Sequence, residues 1–182
     1  MNIIAADIPD VKIIEPRIFG DIRGYFLESW SEQKFAAAGI CNHWVQDNES
    51  FSSYGVVRGL HYQAAPYTQA KLVRVIYGKA LDVVVDIRKS SPTFGQYILV
   101  ELSGENKRQL FIPGGFAHGF AVLSETACFS YKCDNFYMPS HERGIAFDDP
   151  DLNIDWQIPA EKMIISDKDQ KNPSFKDALL LE

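Results

Sequence analysis

The sequence predicts an all-β domain, a sandwich or barrel with little helix, on three observations. Apolar residues repeat with period two rather than 3.6, short alternating stretches recur along the whole chain, and turn residues punctuate them. The clearest stretch is Leu81 to Arg88. There Leu81, Val83, Val85 and Ile87 alternate with Asp82, Val84, Asp86 and Arg88, so that one face of the strand is wholly apolar.

In chain order, strand patterns cover Val11 to Ile14, Gly24 to Trp30, Trp44 to Ser50, Val56 to Gln63 and Lys71 to Tyr77. After Leu81 to Arg88 they continue at Tyr97 to Leu102, Gln109 to Ile112, Gly119 to Leu123 and Ala127 to Lys132. Turns at Tyr77-Gly78-Lys79, Ser91-Pro92-Thr93, Ser103-Gly104-Glu105 and Pro113-Gly114-Gly115 separate these stretches. Helix is confined to two places. Ser31 is placed to cap a short helix through Phe35 and Ala38 that stops at Gly39, and Pro173 to Leu181 is a weaker helical pattern.

At 182 residues and 46% hydrophobic, the chain suits one well-buried core, and no repeat, low-complexity stretch or linker divides it, so a single domain over 1–182 is expected. A net charge of -6 argues against a general nucleic-acid backbone binder, which needs a basic face to displace counterions. No apolar run reaches bilayer-spanning length, and the opening M-N-I-I-A-A-D-I-P-D lacks the basic and apolar blocks of an export leader. A cytoplasmic protein is expected. Cys41, Cys128 and Cys133 are odd in number and contain no Cys-x-x-Cys pair, which points to reduced thiols, buried or incidental, rather than a disulfide framework or zinc site.

The chemistry concentrates around Gly55–Gln63, G-V-V-R-G-L-H-Y-Q, with Lys71 close behind. Arg58, His61 and Lys71 together would hold an anionic ligand by fixed charge while an imidazole of near-neutral pKa moves protons. Taken alone, each of the three reads better as a packed histidine or a solvated cation. Gln46, Asn48 and Ser50 add polar groups on one strand face, and His118 lies within a glycine-rich turn that allows close ligand approach. One conflict is visible. Arg58 and His61 have opposite parity and would face opposite sides of a regular strand, so Gly59 between them is expected to mark a bulge.

A series of segments in order then resembles one family: Asp21–Glu28 (D-I-R-G-Y-F-L-E), Val45–Ser50 (V-Q-D-N-E-S), Val57–Gln63, Lys71–Arg74 and Val85–Arg88. The series continues with Ser91–Gly95 (S-P-T-F-G), Ile112–Phe120 (I-P-G-G-F-A-H-G-F), Tyr131-Lys132, His141–Gly144 (H-E-R-G) and Ser166–Asp169 (S-D-K-D). From Asp21 to Asp169 the chain resembles dTDP-4-dehydrorhamnose 3,5-epimerases. The resemblance implies a cupin-type jelly-roll barrel with short peripheral helices, a homodimer, and no metal or cofactor. It also implies epimerisation at carbons 3 and 5 of a dTDP-linked 4-keto-6-deoxy sugar, on the way to L-rhamnose.

By the same resemblance, His61 is the base, Asp169 its partner carboxylate, Tyr131 the acid on the opposite face and Lys71 the stabiliser of the enolate, with His118 a helper at the sugar. Arg58 and Arg23 would hold the diphosphate, Phe26 would stack on the base, and Glu28, Gln46, Asn48, Glu142 and Lys168 would line the rest of the substrate site. Asp82 is a candidate to orient a histidine from behind. The N-terminal arm, about residues 1–30, would cross to the partner's site. The chemistry fits these residue types: hydrogens on carbons 3 and 5 both flank the carbonyl, so their removal gives an enolate without a redox cofactor. Accordingly the chain shows no Gly-x-Gly-x-x-Gly fingerprint.

Three other readings compete. A metal-dependent cupin oxygenase would need three or four converging ligands, whereas the chain has only His43, His61, His118 and His141 and no His-x-His pair. A non-catalytic sugar-nucleotide binding module would keep Arg58, Gln46 and Asn48 without needing a base opposite a phenol. A single-carbon epimerase or ketoisomerase on a related dTDP-4-keto sugar would use much of the same site.

Overall fold

A computed structural model describes residues 1–182 and consists mainly of β-strands. The strands are β1 (Asn2–Ala5), β2 (Lys12–Glu15), β3 (Ile18–Asp21), β4 (Gly24–Leu27), β5 (Gln46–Ser53), β6 (Val57–Gln63) and β7 (Lys71–Tyr77). They continue with β8 (Lys79–Asp86), β9 (Tyr97–Ser103), β10 (Gln109–Ile112), β11 (Phe116–Val122), β12 (Thr126–Cys133) and β13 (Glu142–Gly144). One sheet runs β1-β2-β10-β7-β12-β5, and a second runs β13-β6-β11-β8-β9. All pairings between these strands are antiparallel, and the two sheets face one another as the cupin-type jelly roll implied by the sequence resemblance. The strands β3 and β4 form a separate hairpin.

The barrel interior is filled from both sheets. Val73, Val84, Val100, Leu110, Phe120 and Phe129 belong to one buried cluster, in which Phe120 and Phe129 stack with ring centroids 4.1 Å apart. Removing a ring so enclosed, as in Phe129→Ala, costs about 3–5 kcal/mol by the combined loss of burial and opening of a cavity. A second cluster lies on the other side of the five-stranded sheet. There Leu81, Val83, Val85 and Ile87 pack with Trp156 and Ile158, and Phe175, Leu180 and Leu181 lie against them.

The wholly apolar face of β8 therefore looks away from the barrel, toward the C-terminal segment. Its alternating polar face looks inward, and Asp82 and Asp86 are both 0% exposed. Asp86 explains the V-D-I-R and S-P-T segments. It accepts hydrogen bonds from Arg88 Nε and Nη2 (2.9 and 2.7 Å), Ser91 Oγ (2.6 Å) and Thr93 Oγ1 (2.6 Å). Burial pushes its carboxyl up, but these donors outweigh it and hold the pKa at about 2.

The predicted N-terminal helix forms over Glu32–Ala37, with Ser31 extended at its start and Gly39 at φ +79° just beyond its end. The predicted C-terminal helix does not form. Instead, Leu181 N–H donates to the Ile87 carbonyl and its own carbonyl accepts from Lys89 N–H, so tail pairing with the chain just past β8 wins over a short isolated helix. The expected strand from Gly24 stops at Leu27, while β1, β3 and β13 are additional to the predicted set. The predicted turn around His118 is also shorter than expected, because β11 already begins at Phe116.

Candidate active site

The bulge predicted at Gly59 is present. His118 is the Cα partner of His61 and Phe120 that of Arg58, so three steps along β6 match two along β11. This extra residue brings Arg58 and His61 to the same side despite their opposite parity. Two glycines permit the close approach. A Cβ on Gly59 would stand 2.6 Å from the Gly119 Cα, and one on Gly119 would stand 2.7 Å from the Arg58 carbonyl. Gly59 also has φ +128°, which favours glycine.

His61 emerges beyond the bulge with Nε2 2.6 Å from Asp169 Oδ1, while the Gly59 N–H donates to Asp169 Oδ2 at 3.4 Å. Asp169 is 4% exposed and opens a short 3₁₀ turn over Asp169–Lys171. Burial raises its carboxyl, but the hydrogen bond and charge of His61, together with the Gly59 N–H, bring the pKa below the ordinary carboxylate range. With Nε2 donating to Asp169, Nδ1 keeps the free lone pair that a base requires.

His61 shares one pocket with Gln46 and Asn48 from β5, Lys71 from β7, Tyr131 from β12 and Glu142 from β13. The imidazole thus comes from one sheet, and the phenol and ammonium come from the other. Burial lowers the Lys71 pKa, opposed by the negative potential of Cys133, Asp82 and Glu142. Burial likewise raises the pKa of Tyr131, keeping the phenol protonated. The Lys71 ammonium lies 5.7 Å from the Tyr131 ring centroid, and Gln46 Nε2 donates to Asn48 Oδ1 at 2.9 Å.

His118 is 7% exposed and lies behind His61 rather than in a turn, with its Nε2 2.9 and 3.1 Å from the two Asp82 oxygens. Burial raises the Asp82 pKa against the pull of His118, and it lowers that of His118 against the pull of Asp82. Asp82 therefore orients a histidine, as expected for a carboxylate behind the pocket. Arg58 turns its Nε and Nη2 to Ser52 Oγ at 3.3 and 3.2 Å, on the β5 face that carries Gln46 and Asn48. Lys168 Nζ is 2.6 Å from Glu142 Oε2.

Three sequence-chosen residues lie elsewhere within the chain. Arg23 is exposed and paired with Asp21, Phe26 is 67% exposed on the β3–β4 hairpin, and Glu28 pairs with Lys34 at 2.8 Å. Conversely, Tyr62, Gln63, Gln69, Cys133 and Tyr137 line the pocket without having been selected from sequence. Parity carried a signal for Gln63, two residues beyond His61. Tyr137 sits in irregular chain, where no periodicity points to it. The thiols are unpaired, but only Cys133 is buried; Cys41 is exposed. No three His, Cys, Asp or Glu side chains converge on one point.

The chain is similar to known proteins over nearly its whole length. The family model for dTDP-4-dehydrorhamnose 3,5-epimerase matches residues 5–177. The chain is 55% identical over 179 residues to the Shigella flexneri dTDP-4-dehydrorhamnose 3,5-epimerase, covering 98% of each. The crystal structure of the Elizabethkingia anophelis dTDP-4-dehydrorhamnose 3,5-epimerase superposes with a TM-score of 0.93 at 54% identity, covering 97% of both chains. A Legionella pneumophila dTDP-6-deoxy-D-glucose-3,5-epimerase, solved with dTDP-4-keto-L-rhamnose, gives 0.93 at 51% identity and covers 97% of this chain and 93% of its own. A barrel with a histidine on one wall, a tyrosine on the other and this degree of similarity over nearly its full length belongs to the dTDP-4-dehydrorhamnose 3,5-epimerase family.

Proposed function

We propose that the pocket epimerises carbons 3 and 5 of dTDP-4-dehydro-6-deoxy-D-glucose to give dTDP-4-dehydro-L-rhamnose, the epimerisation required in L-rhamnose biosynthesis. The observation that carries the reading is the 2.6 Å contact between His61 and Asp169, placed across the barrel from Tyr131 and Lys71. His61 Nδ1 removes the proton next to the 4-keto group, and Asp169 stabilises the resulting imidazolium. Charge then develops on the ketone oxygen, where the Lys71 ammonium stabilises it and His118 assists. Tyr131 returns a proton from the opposite face. Inversion results because acid and base stand on different sheets, and no net oxidation occurs.

Arg58 binds the diphosphate, and Gln46, Asn48, Glu142 and Lys168 complete the nucleotide-sugar site. The chain would work as a homodimer, with the β3–β4 hairpin reaching the partner's pocket through Arg23, Phe26 and Glu28. Exposure supports this placement: Phe19 is 50%, Ile22 104%, Tyr25 58% and Phe26 67% exposed. The three unpaired thiols are consistent with a reducing, cytoplasmic setting.

Solvent-deuterium incorporation, read by NMR at each sugar carbon, tests the activity directly. Exchange at both carbons 3 and 5 is expected, because one carbonyl acidifies both. Exchange at one carbon would make the protein a single-carbon epimerase, and exchange at neither would leave a binding module.

A further inference from the structure

We infer that Gln63 is a positioning residue, whose buried carboxamide holds the segment carrying Tyr137 in place at the sugar pocket. The inference rests on the epimerase reading of that pocket but concerns a residue with no assigned part in it. Gln63 ends β6 and is 4% exposed. Its Nε2 donates to the Tyr67 carbonyl at 2.6 Å and the Phe136 carbonyl at 3.1 Å, and its Oε1 accepts from the Met138 N–H at 2.7 Å. Both amide hydrogens and the carbonyl are therefore committed to backbone.

These bonds grip the residues on either side of Tyr137. The Tyr137 hydroxyl in turn donates to Glu142 Oε2 at 2.6 Å, and Glu142 is the Cα partner of Gln63 across β13 and β6. The result is a closed ring that runs through the Gln63 side chain, the 136–138 backbone, the Tyr137 side chain, Glu142 and back to Gln63. The segment has little burial of its own to hold it, with Phe136 64% and Tyr137 48% exposed. Neighbouring anchors stop short of it: Asp134 Oδ1 accepts the Ala70 N–H, and Gln69 donates to the Asn135 carbonyl. Apart from the adjacent Asn135, whose Oδ1 accepts the Phe136 N–H, Gln63 is the only side chain that bonds the 136–138 backbone.

The chemical consequence is a fixed wall. Tyr137 and Glu142 line the same pocket as His61 and Tyr131, so their placement determines how closely a bound 4-keto sugar fits between acid and base. Gln63 itself is assigned no proton transfer. Its loss should weaken ground-state and transition-state binding alike, raising KM while leaving kcat nearly unchanged.

Two variants test this. Gln63→Met keeps the size but removes every polar contact, and Gln63→Glu keeps the acceptor but replaces both donors with oxygen facing two carbonyls. For each, KM is expected to rise about tenfold or more with kcat within about threefold of wild type. Amide hydrogen exchange across 134–141 should accelerate by at least about tenfold, while that of β8 and β11 is unchanged. Wild-type KM together with wild-type exchange in this segment, in either variant, would overturn the inference. Failure of both variants to fold would also overturn it, by making Gln63 a determinant of the barrel itself. Wild-type protein that lacks epimerase activity would refute the epimerase reading, whereas the exchange measurement would still judge the clamp.

Discussion

His61 and His118 are direct Cα partners across β6 and β11, yet each imidazole is held by a different aspartate, Asp169 at 2.6 Å and Asp82 at 2.9 Å. Asp169 belongs to the C-terminal part of the chain, whereas Asp82 is buried within the barrel on β8. Only His61 lines the pocket. This division separates a carboxylate acting on the base from one acting behind it.

Asp169→Asn should lower kcat by about 10²–10⁴-fold, the usual range for proton transfer by a positioned group, since the amide neither stabilises the imidazolium nor fixes the useful tautomer. Asp82→Asn, acting through His118, should cost only about tenfold. Single-turnover kinetics on both variants checks the ranking. Equal losses would mean that both aspartates serve the same proton.

Tyr131→Phe should separate abstraction from delivery. The His61–Asp169 pair remains, so solvent deuterium should still enter the sugar, while net inversion slows by about 10²-fold or more. His61→Asn should abolish both signals. NMR of the sugar carbons reads both quantities in one experiment, and joint loss in the tyrosine variant would deny Tyr131 a distinct role.

Acid stability should depend on Asp86. Its folded pKa of about 2 lies below the ordinary 3.8, so its stabilisation is complete above about pH 4 and is lost as pH falls toward about 2. The difference corresponds to about 2 kcal/mol. Asp86→Asn should therefore be less stable than wild type by about that amount at pH 7, and by progressively less below pH 4. Urea melts at several pH values check this, and a gap that fails to close below pH 4 would assign the stabilisation to another group.

Charge stabilisation is assigned to Lys71, so activity should survive exhaustive chelation, and elemental analysis should find no stoichiometric transition metal. Loss with EDTA, restored by iron or zinc, would require another account of the enolate. Lys71→Met should reduce kcat by about 10²–10³-fold, as does loss of an oxyanion donor.

The homodimer can be tested by mixing inactive variants. Arg23→Ala and His61→Asn, refolded together in equal amounts, should recover about a quarter of wild-type activity if Arg23 serves the partner's pocket. In each mixed dimer one pocket would then receive both damaged residues and the other neither. No recovery, with mixed dimers confirmed by mass spectrometry, would confine Arg23 to its own subunit.

The sequence disclosed the barrel because alternation survives wherever one strand face is buried. It disclosed the β6 bulge through a contradiction, since Arg58 and His61 could share a pocket only if Gly59 broke the register. What it concealed was local chain without a period. The strand β13 is three residues long, and Tyr137 is placed by backbone bonds to Gln63 rather than by any pattern of its own. The apolar face of β8 was legible, but not what covers it, because Trp156 and Ile158 meet it from far along the chain. Asp169 became a site candidate only through family resemblance, since its neighbours in sequence are charged and its burial arises entirely from tertiary contact.

That contact imposes an order on the making of the protein. His61 leaves the ribosome 108 residues before the carboxylate that bonds it, and this carboxylate travels on chain that closes over the outside of the five-stranded sheet. A nascent barrel therefore holds an imidazole without its counter-ion. The base gains its partner carboxylate only when the segment carrying Asp169 has docked against β6.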